Sequence, residues 1–327
     1  MLNNILIACA VMGVLGLLFG IILTVASKVF AVEEDPKIAE VREALPGANC
    51  GGCGKAGCDA MAAAIVNGEA PVNGCPVGGA DAAAKIAAIL GQEVGNMEKQ
   101  VAYVGCHGCK EDCTYKFEYY GEHDCVQAAA YQGGDKACEN GCLGMGSCVK
   151  VCKFDAIKVN EKGVAEVDPE KCTSCGACIN ICPKGVIKLT PYSKSVAIAC
   201  SNKNKGKAVK AVCTVGCIGC GICEKNCPFE AVKINKETNL PEFDYEKCKG
   251  CGVCAEKCPQ NAIAMLKPRK KAKINPDNCV GCGLCKKNCP KEAIEGELKQ
   301  PHKVDEEKCI GCGVCAEKCK KGAVTLQ

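Results

Sequence analysis

The chain runs to 327 residues with 35 cysteines, no tryptophan, 4% aromatic residues and a formal net charge of +4. Small cysteine-dense modules have cores too small to fold on apolar burial alone and draw folding energy from bound metal. A disulfide framework belongs to small secreted domains, and nothing here suggests secretion. The scarcity of stacking aromatics argues against nucleic acid as a partner.

Residues 5–26, ILIACAVMGVLGLLFGIILTVA, carry no charge and are long enough to cross a bilayer as one helix. A cleaved signal would begin with basic residues, but this chain opens Met-Leu-Asn-Asn. Lys28, Lys37 and Arg42 all follow the apolar run, which predicts a single-pass anchor over residues 1–32 with the body on the cytoplasmic side of the cell membrane. Cys9, Gly13, Gly16 and Gly20 share one helical face, suited to close packing against another membrane helix.

Glu33 to Pro36 form a polar linker, and Lys37 to Leu45 read as a helix ended by Pro46-Gly47. Then comes Cys50-x2-Cys53-x4-Cys58-x16-Cys75, threaded with glycines that let the backbone approach a cluster closely. Asp59 to Asn67 and Gly79 to Leu90 are alanine-rich and helical. Residues 33–95 are expected to be a small helical module holding one [4Fe–4S] cluster on Cys50, Cys53, Cys58 and Cys75, with zinc as the competing reading. Residues 96–135 form a connecting segment, with a strand at Gln100 to Val104 leading to Cys106, Cys109, Cys113 and Cys125. His107 and His123 lie among these cysteines in no metal-selecting pattern and read as surface residues.

The most diagnostic stretch is Cys217-x2-Cys220-x2-Cys223-x3-Cys227-Pro228, followed by Cys248-x2-Cys251-x2-Cys254-x3-Cys258-Pro259. Three thiolates spaced by two residues wrap one corner of an iron–sulfur cube, while the fourth points to the other cluster of the pair. Cys217, Cys220, Cys223 and Cys258 should therefore hold one [4Fe–4S] cluster, and Cys248, Cys251, Cys254 and Cys227 the second. The same logic pairs Cys279, Cys282 and Cys285 with Cys319, and Cys309, Cys312 and Cys315 with Cys289. It also pairs Cys172, Cys175 and Cys178 with Cys152, and Cys138, Cys142 and Cys148 with Cys182. That first unit opens irregularly, as Cys138-x3-Cys142-x5-Cys148-x3-Cys152, and Lys153 and Lys320 stand where proline normally follows. The step from satellite cysteine to the next triplet is 20, 21 and 20 residues, which marks an internal repeat. After each satellite comes a short apolar run (AIKV, VIKL, AVKI, AIAML, AI, AVTL) that reads as a strand.

The predicted fold class is α+β: an N-terminal transmembrane helix, the helical [4Fe–4S] module, then three tandem two-cluster bacterial-ferredoxin-like domains at 136–192, 214–267 and 268–327. A lysine-rich linker covers 193–213. Seven clusters at about −2 each turn the formal charge of +4 to about −10. Against that background the basic stretches Lys194, Lys203, Lys205, Lys207, Lys210 and Lys267, Arg269, Lys270, Lys271, Lys273 read as solvated connectors or as a docking surface for an acidic redox partner. No dinucleotide fingerprint or phosphate loop appears, and no acid/base constellation does. The chain is thus expected to hold no flavin or NAD and no bond-making active site of its own.

The order of anchor helix, Cys50-x2-Cys53-x4-Cys58-x16-Cys75 module and tandem ferredoxin pairs resembles the B subunit of the Rnf complex along the whole chain. The resemblance implies a membrane assembly that oxidises reduced ferredoxin, reduces NAD and moves sodium ions or protons. The B subunit would accept electrons from reduced, acidic, soluble ferredoxin and pass them to other integral and peripheral subunits. Many relatives have a single ferredoxin pair, so the cluster number does not carry over. A polyferredoxin subunit of another membrane enzyme, such as a hydrogenase or formate dehydrogenase, is the alternative, and a cluster-storage scaffold a third reading.

Cys106, Cys109, Cys113, Cys125, Cys200 and Cys213 stay outside the seven sets. An eighth cluster could form on Cys106, Cys125, Cys200 and Cys213 if the strands ending at Cys106 and Cys200 pair, or locally on Cys106, Cys109, Cys113 and Cys125. The plain alternative is buried free thiols.

Overall fold

The computed structural model describes residues 2–29, 35–95 and 98–327, with side chains in the first helix described from Met12 to Ala26. Helix α1 (Leu2–Val29) presents Met12, Leu17, Phe19, Ile21 and Leu23 at more than half exposure. Among the described residues no helix is long and apolar enough to cross a membrane. The expected anchor over residues 1–32 and the linker at Glu33 and Glu34 fall partly outside them.

Three helices build the next module. Helix α2 (Pro36–Ala44) has proline at its first turn, where no donor is lost, and the Asp35 carboxylate accepts from the Lys37 N–H at 2.9 Å. Helices α3 (Cys58–Val66) and α4 (Gly79–Leu90) are rich in alanine, which lets α2 pack close on both. Val41, Met61, Ile65 and Ile86 make the core, and Arg42 pairs with Asp59 at 2.6 Å.

The first ferredoxin unit comprises β1 (Gln100–Val104), α5 (Cys125–Ala130), α6 (Ser147–Lys150), β2 (Ile157–Val159), β3 (Ala165–Val167), α7 (Ala177–Ile181) and β4 (Ile187–Pro191). The second has β5 (Val196–Ile198), α8 (Lys207–Lys210), α9 (Ile222–Lys225), β6 (Val232–Ile234), β7 (Pro241–Phe243), α10 (Val253–Glu256) and β8 (Ile263–Met265). The third has β9 (Ala272–Ile274), α11 (Leu284–Lys287), β10 (Ile294–Glu295), β11 (Lys303–Val304), α12 (Val314–Lys318) and β12 (Val324–Leu326).

Each unit closes two antiparallel pairs: an inner hairpin (β2–β3, β6–β7, β10–β11) and a pairing of first strand with last (β1–β4, β5–β8, β9–β12). The strands that end near Cys106 and Cys200 therefore do not pair with each other. Each pairs within its own unit instead, β1 with β4 and β5 with β8. The lysine-rich stretch 193–213 likewise contains β5 and α8, with Val209 fully buried.

Candidate metal centres and their succession

Every triplet ends by starting a short helix, and a glycine sets the turn. Gly176, Gly221, Gly252, Gly283 and Gly313 follow the second cysteine with φ between 70° and 78°, a conformation that disfavours any side chain. Three residues past each satellite cysteine a second left-handed residue, such as Glu230 or Asn261, turns the chain into the following strand. The N–H of the next residue, a buried alanine, then donates to the satellite sulfur: Ala156 to Cys152 at 3.4 Å, and Ala231, Ala262, Ala293 and Ala323 to Cys227, Cys258, Cys289 and Cys319 at 3.3 Å. Such donors stabilise a thiolate ligand and tune its cluster. The turn forms at Cys152-Lys153 and Cys319-Lys320 without the usual proline.

The structure brings the predicted sulfurs together in crossed sets. One cavity is lined by Cys217, Cys220, Cys223 and, from the other triplet, Cys258. Others gather Cys172, Cys175 and Cys178 with Cys152, Cys309, Cys312 and Cys315 with Cys289, and Cys279, Cys282 and Cys285 with Cys319. Cys248, Cys251 and Cys254 stand together, with Cys227 beside Cys251. In the helical module Cys50, Cys53, Cys58 and Cys75 line one apolar cavity. There the Asn49 side-chain carbonyl oxygen accepts from the Cys58 N–H at 2.7 Å, and the Cys75 sulfur accepts from the Gly78 N–H at 3.3 Å.

The cysteines that act on Cys148 are Cys142, Cys125, Cys182 and Cys178, with Cys138 not among them. The neighbours of Cys138 are Cys106 and Cys213, and Asn202 Nδ2 donates to it at 3.5 Å. Beside Cys148 stand Cys142, Cys182 and, instead, Cys125. The sequence carries a signal for this: Cys142-x2-Met145-x2-Cys148-x3-Cys152 is a regular triplet with methionine in the middle place, and Gly146 follows at φ 78° like the other turn glycines. Met145 packs against Cys125, Ala128 and Leu143. Asp124 caps α5 by accepting from the Val126 N–H at 2.9 Å, and the Cys125 N–H donates to Ser147 Oγ at 2.6 Å, which fixes Cys125 over α6.

Burial and neighbouring thiols push six of the cysteines up strongly: Cys148 and Cys254 to about 12, Cys178, Cys217, Cys223 and Cys315 to about 11, with desolvation the largest cause in each. Without a cation these groups stay protonated at neutral pH, so loading the sites displaces protons.

Neighbouring sets lie near one another. Gly52 lies against the backbone of Cys175, Cys148 is beside Cys178, Cys223 is beside Cys254, and Cys251 is beside Cys312. Lys249 and Glu317 clamp the last junction at 2.8 Å. His302, 3% exposed, lines the Cys279 cavity, and its backbone N–H donates to Cys279 Sγ at 3.5 Å. Nothing in the sequence marks it, whereas His107 and His123 are exposed as expected.

Residues 45–77 match the family described as a putative Fe-S cluster, and 137–186, 216–262, 247–293 and 272–326 match 4Fe-4S dicluster domains. The B subunit of the Na(+)-translocating ferredoxin:NAD(+) oxidoreductase complex of Acetobacterium woodii is 51% identical over 76% of this chain and 74% of its own length. The chain belongs to this B-subunit family. The B subunit of the ion-translocating oxidoreductase complex of Methanosarcina acetivorans is 47% identical over 73% of this chain and 90% of its own. Its counterpart in the proton-translocating ferredoxin:NAD(+) oxidoreductase complex of Clostridium ljungdahlii is 44% identical over 76% and 87%. As a member of the Rnf B-subunit family, the chain is an iron–sulfur electron-transfer subunit of an ion-translocating ferredoxin:NAD oxidoreductase, carries multiple [4Fe–4S] clusters and works with the complex's other subunits.

Proposed function

We propose that the chain accepts electrons from reduced ferredoxin and relays them along seven clusters to partner subunits at the membrane, where residues 5–26 anchor it with the body on the cytoplasmic side. The ligand sets are the crossed ones, with Cys125 in place of Cys138 beside Cys142, Cys148 and Cys182. When bound, each cluster takes up and gives back one electron. The cysteine sets supply fixed, adjacent sites with apolar walls, with Cys148, Cys223, Cys254, Cys285 and Cys315 among the buried ligands, while Cys220 and Cys282 stand exposed at the surface.

The observation that carries this reading is the adjacency of the sets at both ends, from the third unit back to the second and from the first unit to the helical module that follows α1 in the chain. The apolar side chains exposed along α1 support the anchor. Lys203, Lys205, Lys207 and Lys210 support docking of an acidic donor, since all four are exposed and in no ion pair among the described residues, whereas Arg269 is held by Glu256 at 3.3 Å and Lys267 lies over the Tyr192 ring.

The test is stopped-flow reduction of the anaerobic complex by reduced ferredoxin. We expect the clusters of this chain to be reduced first and the chain to co-purify with integral membrane subunits. Reduction of the partner subunits ahead of this one, or isolation of the chain free of membrane proteins, would overturn the reading.

A further inference from the structure

Between the first and second ferredoxin units lie four cysteines outside the seven sets, brought close by the fold from positions far apart in sequence. Cys113 and Cys213 face each other across an antiparallel bridge with sulfurs 3.8 Å apart. A Cβ added to Gly108 would lie 2.7 Å from Cys113 Sγ, 3.2 Å from Cys213 Sγ and 3.8 Å from Cys106 Sγ. Three sulfurs therefore converge on one bare stretch of backbone, where no side chain fits. Cys138 closes the group as the neighbour of Cys106 and Cys213, held by the buried Asn202 amide at 3.5 Å.

A buried cation stands over them. Lys136 is 1% exposed, its ammonium donates to the Gly108 carbonyl at 2.9 Å, and it makes no ion pair among the described residues. Cys113, Cys213 and Cys142 are around it. A lysine in such a place needs a negative partner, and a cluster on four thiolates, at about −2, supplies one.

We propose that Cys106, Cys113, Cys138 and Cys213 hold a further iron–sulfur cluster, set between the first two ferredoxin units. This rests on the reading that Cys125 replaces Cys138 in the first unit. Both sets suggested by the sequence require Cys125, which stands beside Cys148. Cys109 is engaged elsewhere, its thiol donating to Asp112 Oδ2 at 2.8 Å. Two thiolates on one tetrahedral metal at about 2.3 Å stand about 3.8 Å apart, a separation that Cys113 and Cys213 meet. A single zinc ion on the same four sulfurs is the competing occupant, and metal analysis separates the two.

The place is also where the succession otherwise breaks. The Cys142 N–H donates to Cys106 Sγ at 3.4 Å, which links the site to the first unit. Cys200 lies beside both Cys106 and Cys217, which links it to the second.

The test is iron and sulfide analysis with Mössbauer spectroscopy on the anaerobic, fully reconstituted full-length chain. Because Cys113 and Cys213 share one iron at this separation, the added cluster is binuclear, and native protein should hold about 30 irons against about 28 for seven clusters. Cys113→Ser and Cys138→Ser should each lose the added irons while the remaining signals persist, and Cys138→Ser combined with Cys182→Ser should lose more than either alone. Cys109→Ser should leave iron unchanged. A native value of about 28, zinc in place of the added iron, or a double variant no worse than Cys182→Ser would overturn the proposal. The native count decides even if a variant fails to fold, and none of these outcomes bears on whether ferredoxin is the donor.

Discussion

Gly52 lies so close to Cys175 that a Cβ at position 52 would stand 2.5 Å from the Cys175 carbonyl oxygen and 2.9 Å from its Cα. The helical module and the first ferredoxin unit thus meet backbone to backbone at two cysteine loops. The Gly52→Val variant should keep its iron but open this junction. We expect a loss of about 1–3 kcal/mol in thermal unfolding and slower reduction of the module cluster than of the clusters in the third unit, measured by freeze-quench spectroscopy.

Cys258 belongs in sequence to the triplet Cys248, Cys251, Cys254 but lines the cavity of Cys217, Cys220 and Cys223. Cys258→Ala should therefore remove the cluster of the earlier triplet. The check combines it with Cys217→Ala: about four irons lost in all, no more than in either single variant, bears out the crossing, and about eight rejects it.

Tyr103 on β1 has a buried hydroxyl with no hydrogen-bond partner among the described residues. Burying such a group unpaired costs about 1–3 kcal/mol. Tyr103→Phe should leave the iron content intact and raise the melting temperature, an outcome that calorimetry on the loaded protein can reject directly.

The lysines at 203, 205, 207 and 210 are exposed around α8. Replacing all four by glutamine should slow reduction by ferredoxin several-fold at low salt, with the difference fading as ionic strength rises and the Debye length falls to about 8 Å near 0.15 M. The Lys267, Arg269, Lys270 and Lys271 set serves as comparison. Arg269 and Lys267 are already engaged, so its effect should be smaller. Equal rates at all salt concentrations would return both stretches to the role of solvated connectors.

Much of this is legible in the residues. The triplet-plus-satellite spacing demands that the fourth sulfur cross over. An alanine opens five of the six apolar runs after the satellites, and in the structure its N–H reaches the satellite sulfur, at Ala156 without a proline in the turn before it. What stays hidden depends on contacts distant in sequence. Cys125 reaches Cys148 only because α5 is capped by Asp124 and tied to Ser147, and spacing alone does not reveal such a link. The strands β1 and β5 lead to similarly placed cysteines, which suggests a mutual pairing, yet register is set by whichever edge each unit leaves open. His302 gives no signal because a lone histidine in a polar stretch carries no periodicity.

The crossing of sulfurs between halves of each ferredoxin unit also sets a timetable for maturation. No triplet can complete its four ligands until the later half of its unit has left the ribosome, and the first unit's cavity of Cys172, Cys175 and Cys178 waits on Cys152 being folded back against them. Completion of the earlier set therefore waits on the last cysteine of the unit, and a chain truncated between the two halves would leave both of its sets short of ligands.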